Sequence, residues 1–326
     1  MEIQRHIAQG FGKGELYDVL TGLDNQSQVL PYSGLTYYVS KYGNNTTGLS
    51  WANAFTTIAA AISASNTYIA ITANANGRNR IYIDGGLDSG THWWVETLNV
   101  FPNYCDMIGI GNAGDLGTPV MIYGATDITT YAFGCHLYNL AFYGSGAGVP
   151  IVKMAATYNG LEFHNCMFRN KSGNNASIGL QIGTALNFKV NHCQIIGYPS
   201  PVIGIQLDKD PTFGQITDNF ITATTTGINI AAEVVTHDYQ LLIKDNVICR
   251  SDPTGGALMA VGIDLKQTTT GSHAMIIHNW IAATDAIHYV NVEQYPNYRD
   301  HMMCIDNHIV EGNVANVESD EHETSL

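Results

Sequence analysis

Apolar and polar residues alternate along most of this chain in short runs, and one run keeps returning. It reads apolar, polar, apolar, two polar and again apolar, and it occurs at residues 137–142, 161–168, 188–195, 215–221, 242–248, 275–281 and 303–309. Aligned on their central polar residue, these segments place Asn139, Asn165, His192, Asn219, Asn246, Asn279 and Asn307 at one position, with steps of 26, 27, 27, 27, 33 and 28 residues. A second element lies between them, opening on Gly179, Gly204, Gly227, Gly262 or Ala286 and continuing apolar, polar, apolar. Period-two alternation in short runs predicts strands with one side buried. Such a unit cannot bury its own apolar side, so self-similarity at this period predicts stacked coils. The expected fold is all-β, a single-stranded right-handed parallel β-helix.

The asparagines read as a structural ladder at a sharp bend, Asn139, Asn165, Asn219, Asn246, Asn279 and Asn307 each bonding to the next coil and to backbone groups left open by the bend. Lining a ligand groove is the other reading of the same column. Cys166 and Cys193 follow the bend in consecutive coils, one strand spacing of roughly 4.8 Å apart, and read as stacked thiols. The six cysteines contain no CxxC pair, which argues against zinc sites and a disulfide framework.

One stretch has a helical period. Trp51, Phe55, Ile58, Ala59 and Ile62 share a helical face, with Ser50 as N-cap, and predict a short N-terminal helix closing the open end of the stack. Strands are expected at Thr36–Val39 before it, at Tyr68–Ile71 and Arg80–Ile83 after it, then at Met107–Gly111 and Val120–Tyr123. The chain thus divides into an N-terminal arm (1–34), first strands and capping helix (35–78), the β-helix (79–312) and an acidic tail (313–326). The run Tyr38-Val-Ser, Gly43, Gly48, Ser50-Trp-Ala-Asn-Ala-Phe55, Ile58 and Ala61-Ile62, followed by Ile108-Gly-Ile-Gly111 and the asparagine-bearing coils, resembles the pectate-lyase-like β-helix superfamily over roughly residues 35 to 312. In layout, a short arm before an unsignalled β-helix, it is similar to phage tailspikes and related virion fibres.

Composition narrows the function. Fourteen basic against twenty-eight acidic residues give a net charge of -14, which repels nucleic acid and anionic membranes. Neither a signal sequence nor a membrane span is read from the chain, so the expectation is synthesis in a host cytoplasm, no membrane insertion and a final place in a virion. The pectinolytic motifs that the resemblance implies, Asn-Thr-Asp, Asp-Asp, Gly-His-Gly and Arg-Ile-Lys, do not occur. Histidines such as His164, His192, His237 and His278 lack ligand spacing, so neither metal nor cofactor is expected.

Three candidate sites remain. Asp210 and Glu233 each lie six residues beyond an aligned glycine, and as facing acids would form the nucleophile and acid of a retaining glycosidase; solvated loop acids are the alternative, with Asp208 and Asp238 as weaker candidates. Gln181, Gln206, Asn229, Asp264 and His288 form an outward polar strip for a glycan, for a neighbouring subunit or for water alone. Trp93 and Trp94 add rings that stack on sugars or simply pack. The leading expectation is a structural virion protein, a tailspike, fibre or capsid-attached spike, trimeric, joined to other virion proteins through residues 1–34 and touching host surface polysaccharide. The alternatives are a polysaccharide-degrading enzyme and a capsid decoration protein that binds no glycan.

Overall fold

The computed structural model describes residues 34–71, 77–85, 93–110, 120–124, 126–129, 132–144, 148–154, 158–170, 176–183, 185–196, 201–208, 211–230, 240–250, 258–265, 273–289 and 302–310. The expected arm, apart from Gly34, and the acidic tail lie outside them. The chain winds as a right-handed parallel β-solenoid with very little helix.

Each rung visits up to four faces. The first face is a ten-stranded sheet running from Thr36–Val39 through Asn79–Asp84, Cys105–Ile110, Cys135–Tyr138, Glu162–His164, Lys189–Asn191, Gly214–Thr217, Gln240–Lys244 and His273–Ile277 to Met302–Ile305. The second face starts at Trp93–Val95 and the third at Thr126–Ile128. The long strand Trp280–Tyr289 runs on from the second into the third and joins them in one 15-stranded sheet. A small fourth sheet stacks Ala132–Phe133, Tyr158–Asn159, Ala185–Leu186 and Pro211–Thr212.

Inward positions form continuous apolar columns. On the first face Tyr37, Ile81, Met107, Leu137, Phe163, Val190, Ile216, Ile243 and Ile276 follow one another in register, and all are buried. On the second, Trp94, Ile122, Phe142 and Phe168 lead into a run of isoleucines, with the rings of Phe142 and Phe168 stacked at 5.6 Å. The third face packs against the second through its glycines. A Cβ on Gly204 would stand 2.5 Å from the Gly227 carbonyl oxygen and 2.5 Å from Ile221 Cγ2, and Gly179, Gly227 and Gly262 meet the same two obstacles.

The bend between the first and second faces takes a single residue in the left-handed region. Asn139, Asn165, His192, Asp218, Asp245, His278 and Asp306 occupy it with φ between +49° and +58°, a conformation that Asn, Asp and His adopt more readily than other side chains. The first six donate their backbone N–H to the rung ahead, as Asn139 does to the His164 carbonyl at 3.1 Å and Asp218 to the Lys244 carbonyl at 3.0 Å. The recurring polar positions therefore fall on two adjacent columns. Asn139, Asn165 and His192 are the outer bend residues, whereas Asn219, Asn246, Asn279 and Asn307 lie one residue further along and point inward, in the column that Cys166 and Cys193 begin.

The inward asparagines form the amide ladder. Cys193 N–H donates to Asn219 Oδ1 at 2.8 Å, Asn219 Nδ2 to Asn246 Oδ1 at 2.9 Å and Asn279 Nδ2 to Asn307 Oδ1 at 3.0 Å. Each amide also donates to a first-face carbonyl behind it, Asn219 to Val190 at 2.9 Å and Asn246 to Ile216 at 2.9 Å. Asn139 and Asn165 make a weaker outer pair, their amides 3.4 Å apart.

The closing helix, α1, spans Ile58–Ala70 and sets Ile58, Ala61, Ile62, Ser65 and Ile69 against the first rung. It starts later than the sequence periodicity indicates. Ser50 caps only a 3-10 turn, Trp51–Asn53, because Phe55 is drawn to the sheet edge, donating to the Tyr38 carbonyl at 2.9 Å while its own carbonyl accepts from Ser40 at 2.9 Å. Thr57 is the N-cap, and the Glu96 carboxylate accepts from the Ile58 and Ala59 N–H groups at 2.9 and 3.1 Å. The strand expected at Tyr68–Ile71 is the last turn of this helix and its C-cap. Among the described residues no helix is long and apolar enough to cross a membrane.

Candidate functional site

Asp210 and Glu233, and the weaker candidate Asp238, lie outside the described residues. Asp208 is described and works as a local acceptor, taking Gln181 Nε2 at 2.7 Å and Gln206 Nε2 at 2.5 Å. The polar strip on the third face is in register: Gln181 faces Gln206, then Asn229, Asp264 and the backbone of His288 follow. It also reaches further back than its sequence pattern shows, through Lys153 to Asp127, whose side chains pair at 3.7 Å. Among the described side chains the strip is more open toward that end, since Asn229 and Asp264 are 6% exposed.

The two tryptophans separate by alternation along one strand. Trp94 points inward, 2% exposed, with its indole N–H donating to the Asp84 carbonyl at 3.0 Å, so it packs in the core and offers no ring to a ligand. Trp93 points outward and is 37% exposed. Its ring lies 5.8 Å from that of Tyr123 and 6.3 Å from that of Tyr143. Arg169 on the next rung holds its guanidinium 5.5 Å from the Tyr143 ring and donates to the Tyr143 hydroxyl at 3.0 Å. Beneath these rings Met121, Ala141 and Met167 make a small apolar cluster on the outside of the solenoid, separate from the main core.

The first face carries a polar network that the sequence reading did not assemble. Asp106, His136, Glu162 and Lys189 occupy one outward column on four successive rungs, and Tyr138 and His164 stand beside them in the next. Arg78 binds the Asp106 carboxylate through Nε at 2.9 Å and through Nη2. His136 Nδ1 lies 3.3 Å from Asp106 and its Nε2 3.8 Å from Glu162 Oε2. The same Glu162 oxygen is 2.8 Å from His164 Nε2, and Lys189 holds the other at 2.9 Å. The Tyr138 and His164 rings stack at 5.0 Å, inclined by 9°.

These contacts favour the ionised form of both carboxylates. Burial alone would raise the Asp106 carboxyl, but the hydrogen bonds from His136 and Arg78 and the Arg78 charge outweigh it and hold the group below the ordinary aspartate range. For Glu162 burial is likewise overcome by His164 and Lys189. Burial, reinforced by both carboxylates, pushes the Tyr138 phenol up to about 12. Two-carboxylate glycoside hydrolysis needs one carboxyl held protonated as the acid, and this pair is set the opposite way. The arrangement suits ion pairing and recognition of hydroxyl groups. Among the described residues no three His, Cys, Asp or Glu side chains are grouped to hold a metal ion. No protein-family model matches the chain, and neither a curated protein nor a solved structure matches it.

Proposed function

We propose that this chain is a structural virion protein of the tailspike, fibre or capsid-attached spike kind, whose solenoid contacts a host surface polysaccharide. The observation that carries this reading is the registered outer surface. Polar side chains stand one per rung at the strand spacing of about 4.8 Å, as Asp106, His136, Glu162 and Lys189 on the first face and Asp127, Lys153, Gln181 and Gln206 on the third. Rows of donors and acceptors at a fixed repeat complement a ligand that is itself a repeating, polyhydroxylated chain. A stack of rungs bonded along its length is also a stiff rod, as a projecting spike requires. Residues 1–34 would join the particle, and a homotrimer is the assembly this reading takes.

The test combines location and binding. Antibody-labelled electron microscopy of particles from the producing system should find the chain on the particle surface, and the purified chain should bind surface polysaccharide from the host of those particles. A chain that is found on no particle, stays monomeric and binds no polysaccharide would overturn the proposal. Particle location without glycan binding would instead leave a decoration protein.

A further inference from the structure

Trp93, Tyr123 and Tyr143 form a group of three neighbouring outward rings beside a buried apolar cluster. The cluster below them is buried although it lies outside the solenoid: Ala141 is 0% exposed, Met121 7% and Met167 8%. Tyr143 packs directly on that cluster, and the ring of Trp93 reaches it across the intervening rung of Met121. Rings fixed in this way lose little freedom on meeting a ligand, which leaves more of the contact energy for binding. Ala141 has the smallest side chain of the cluster on which Tyr143 packs.

The adjoining bend is chemically matched to them. Next to the rings it presents amides, Asn139 and the exposed Asn165. Further down the same column it presents Asp218, Asp245 and Asp306, interspersed with His192 and His278. An amide both donates and accepts and so pairs with a hydroxyl in either sense, whereas a carboxylate only accepts. Aromatic faces, amides and one guanidinium together form a surface suited to a sugar ring, whose C–H face is apolar and whose edge is all hydroxyl.

We infer that the Trp93, Tyr123 and Tyr143 rings are the subsite on which a polysaccharide stacks, with Arg169 meeting hydroxyl groups of the stacked pyranose and Asn165 those of a neighbouring sugar unit. This rests on the glycan-contacting reading above and adds the place and the manner of contact. Ala141 is a positioning residue, acting through the rings without touching the sugar.

The lower part of the same face supplies a control. Trp280 is exposed to a similar degree, 36%, but stands beside His278, which lies between Asp245 and Asp306 in the bend and is within 4 Å of both carboxylates. Binding of the full chain is measured on immobilised polysaccharides, a neutral hexose polymer, an N-acetylated polymer and a uronate-containing bacterial capsule, with thermal unfolding of every variant followed in parallel. Trp93→Ala should weaken binding at least tenfold on each polymer that the unaltered chain binds, Ala141→Leu should weaken it several-fold, and Trp280→Ala should leave it unchanged. Unaltered affinity in a folded Trp93→Ala protein would overturn the subsite and leave the glycan reading standing. Absence of binding to every polymer by the unaltered chain would remove both. Should Ala141→Leu fail to fold, Trp93→Ala alone decides.

Discussion

Asn246 donates twice to one atom of Asn279, its backbone N–H at 3.0 Å and its side-chain Nδ2 at 2.9 Å both ending on Oδ1. Asn219 binds Asn246 in the same way, at 3.0 and 2.9 Å. The side-chain oxygens of Asn246, Asn279 and Asn307 are thus each engaged twice by the preceding rung.

Removing one of these amides leaves buried donors with no acceptor. Asn246→Ala takes the acceptor from the Asn219 backbone N–H and from one of its two Nδ2 hydrogens at once, and each unsatisfied buried donor costs about 1–3 kcal/mol. The expected loss is about 3 kcal/mol in urea unfolding. Asn165→Ala gives up only the outer amide contact and the side chain's tolerance of positive φ, about 1 kcal/mol. Equal losses at the two positions would contradict the separation into inner and outer columns.

The glycines of the third face have no room to grow. Gly204→Ala drives a methyl group against the Gly227 carbonyl and the Ile221 side chain, and backbone cannot yield as a flexible side chain does. A loss of about 1–3 kcal/mol or more is expected, measured as a lowered urea midpoint with an unchanged slope.

Acid should weaken the first face. Asp106 and Glu162 have folded-state values below their ordinary ones, so their contribution is complete above the unfolded-state range near pH 4 and disappears as pH falls through the folded values. Stability measured from pH 6 to pH 2.5 should decline in that window. The decline should become shallower in an Asp106→Asn, Glu162→Gln double variant that is less stable at neutral pH. An unchanged slope in that variant would assign the acid sensitivity to other groups.

The interior thiols should resist alkylation. Burial pushes Cys105 up to about 12 and Cys135 and Cys193 well above the ordinary thiol value, and a protonated thiol is a poor nucleophile. Iodoacetamide at pH 8 should label the half-exposed Cys249 and Cys304 first, with Cys105, Cys135 and Cys193 reacting only after unfolding. Peptide mass spectrometry over time distinguishes the two classes.

The stack of coils was legible because burial imposes period two within a strand and rung length imposes the longer repeat, and both survive in the order of residues. The register at the bend was legible only to within one residue. Following the letter Asn joins Asn165 to Asn219, but the left-handed position accepts Asn, Asp and His alike, and in the lower rungs Asp218, Asp245, His278 and Asp306 take it. The apolar residues after the bend carry the correct register, since Phe168, Ile195 and Ile221 occupy equivalent inward positions. The network around Glu162 escaped notice for a related reason. His136, Glu162 and Lys189 are far apart in the chain and meet only when the rungs are laid in register. Trp93 and Trp94, adjacent in sequence, differ by a half-turn of the strand, and the sequence around them is too short to tell which side faces the core.

All the inward amides lean the same way, each oxygen serving the rung that came before it. The ladder is therefore vectorial at atomic scale: an asparagine lost at one level takes the acceptor from the backbone N–H and side-chain amide of the earlier turn, toward the helix-closed end, while each remaining amide keeps its second bond to a first-face carbonyl behind it. Loss of the Asn307 side chain should loosen Asn279 first, whereas replacement of the Cys193 side chain, where sulfur stands in place of the amide, should leave every amide below it engaged.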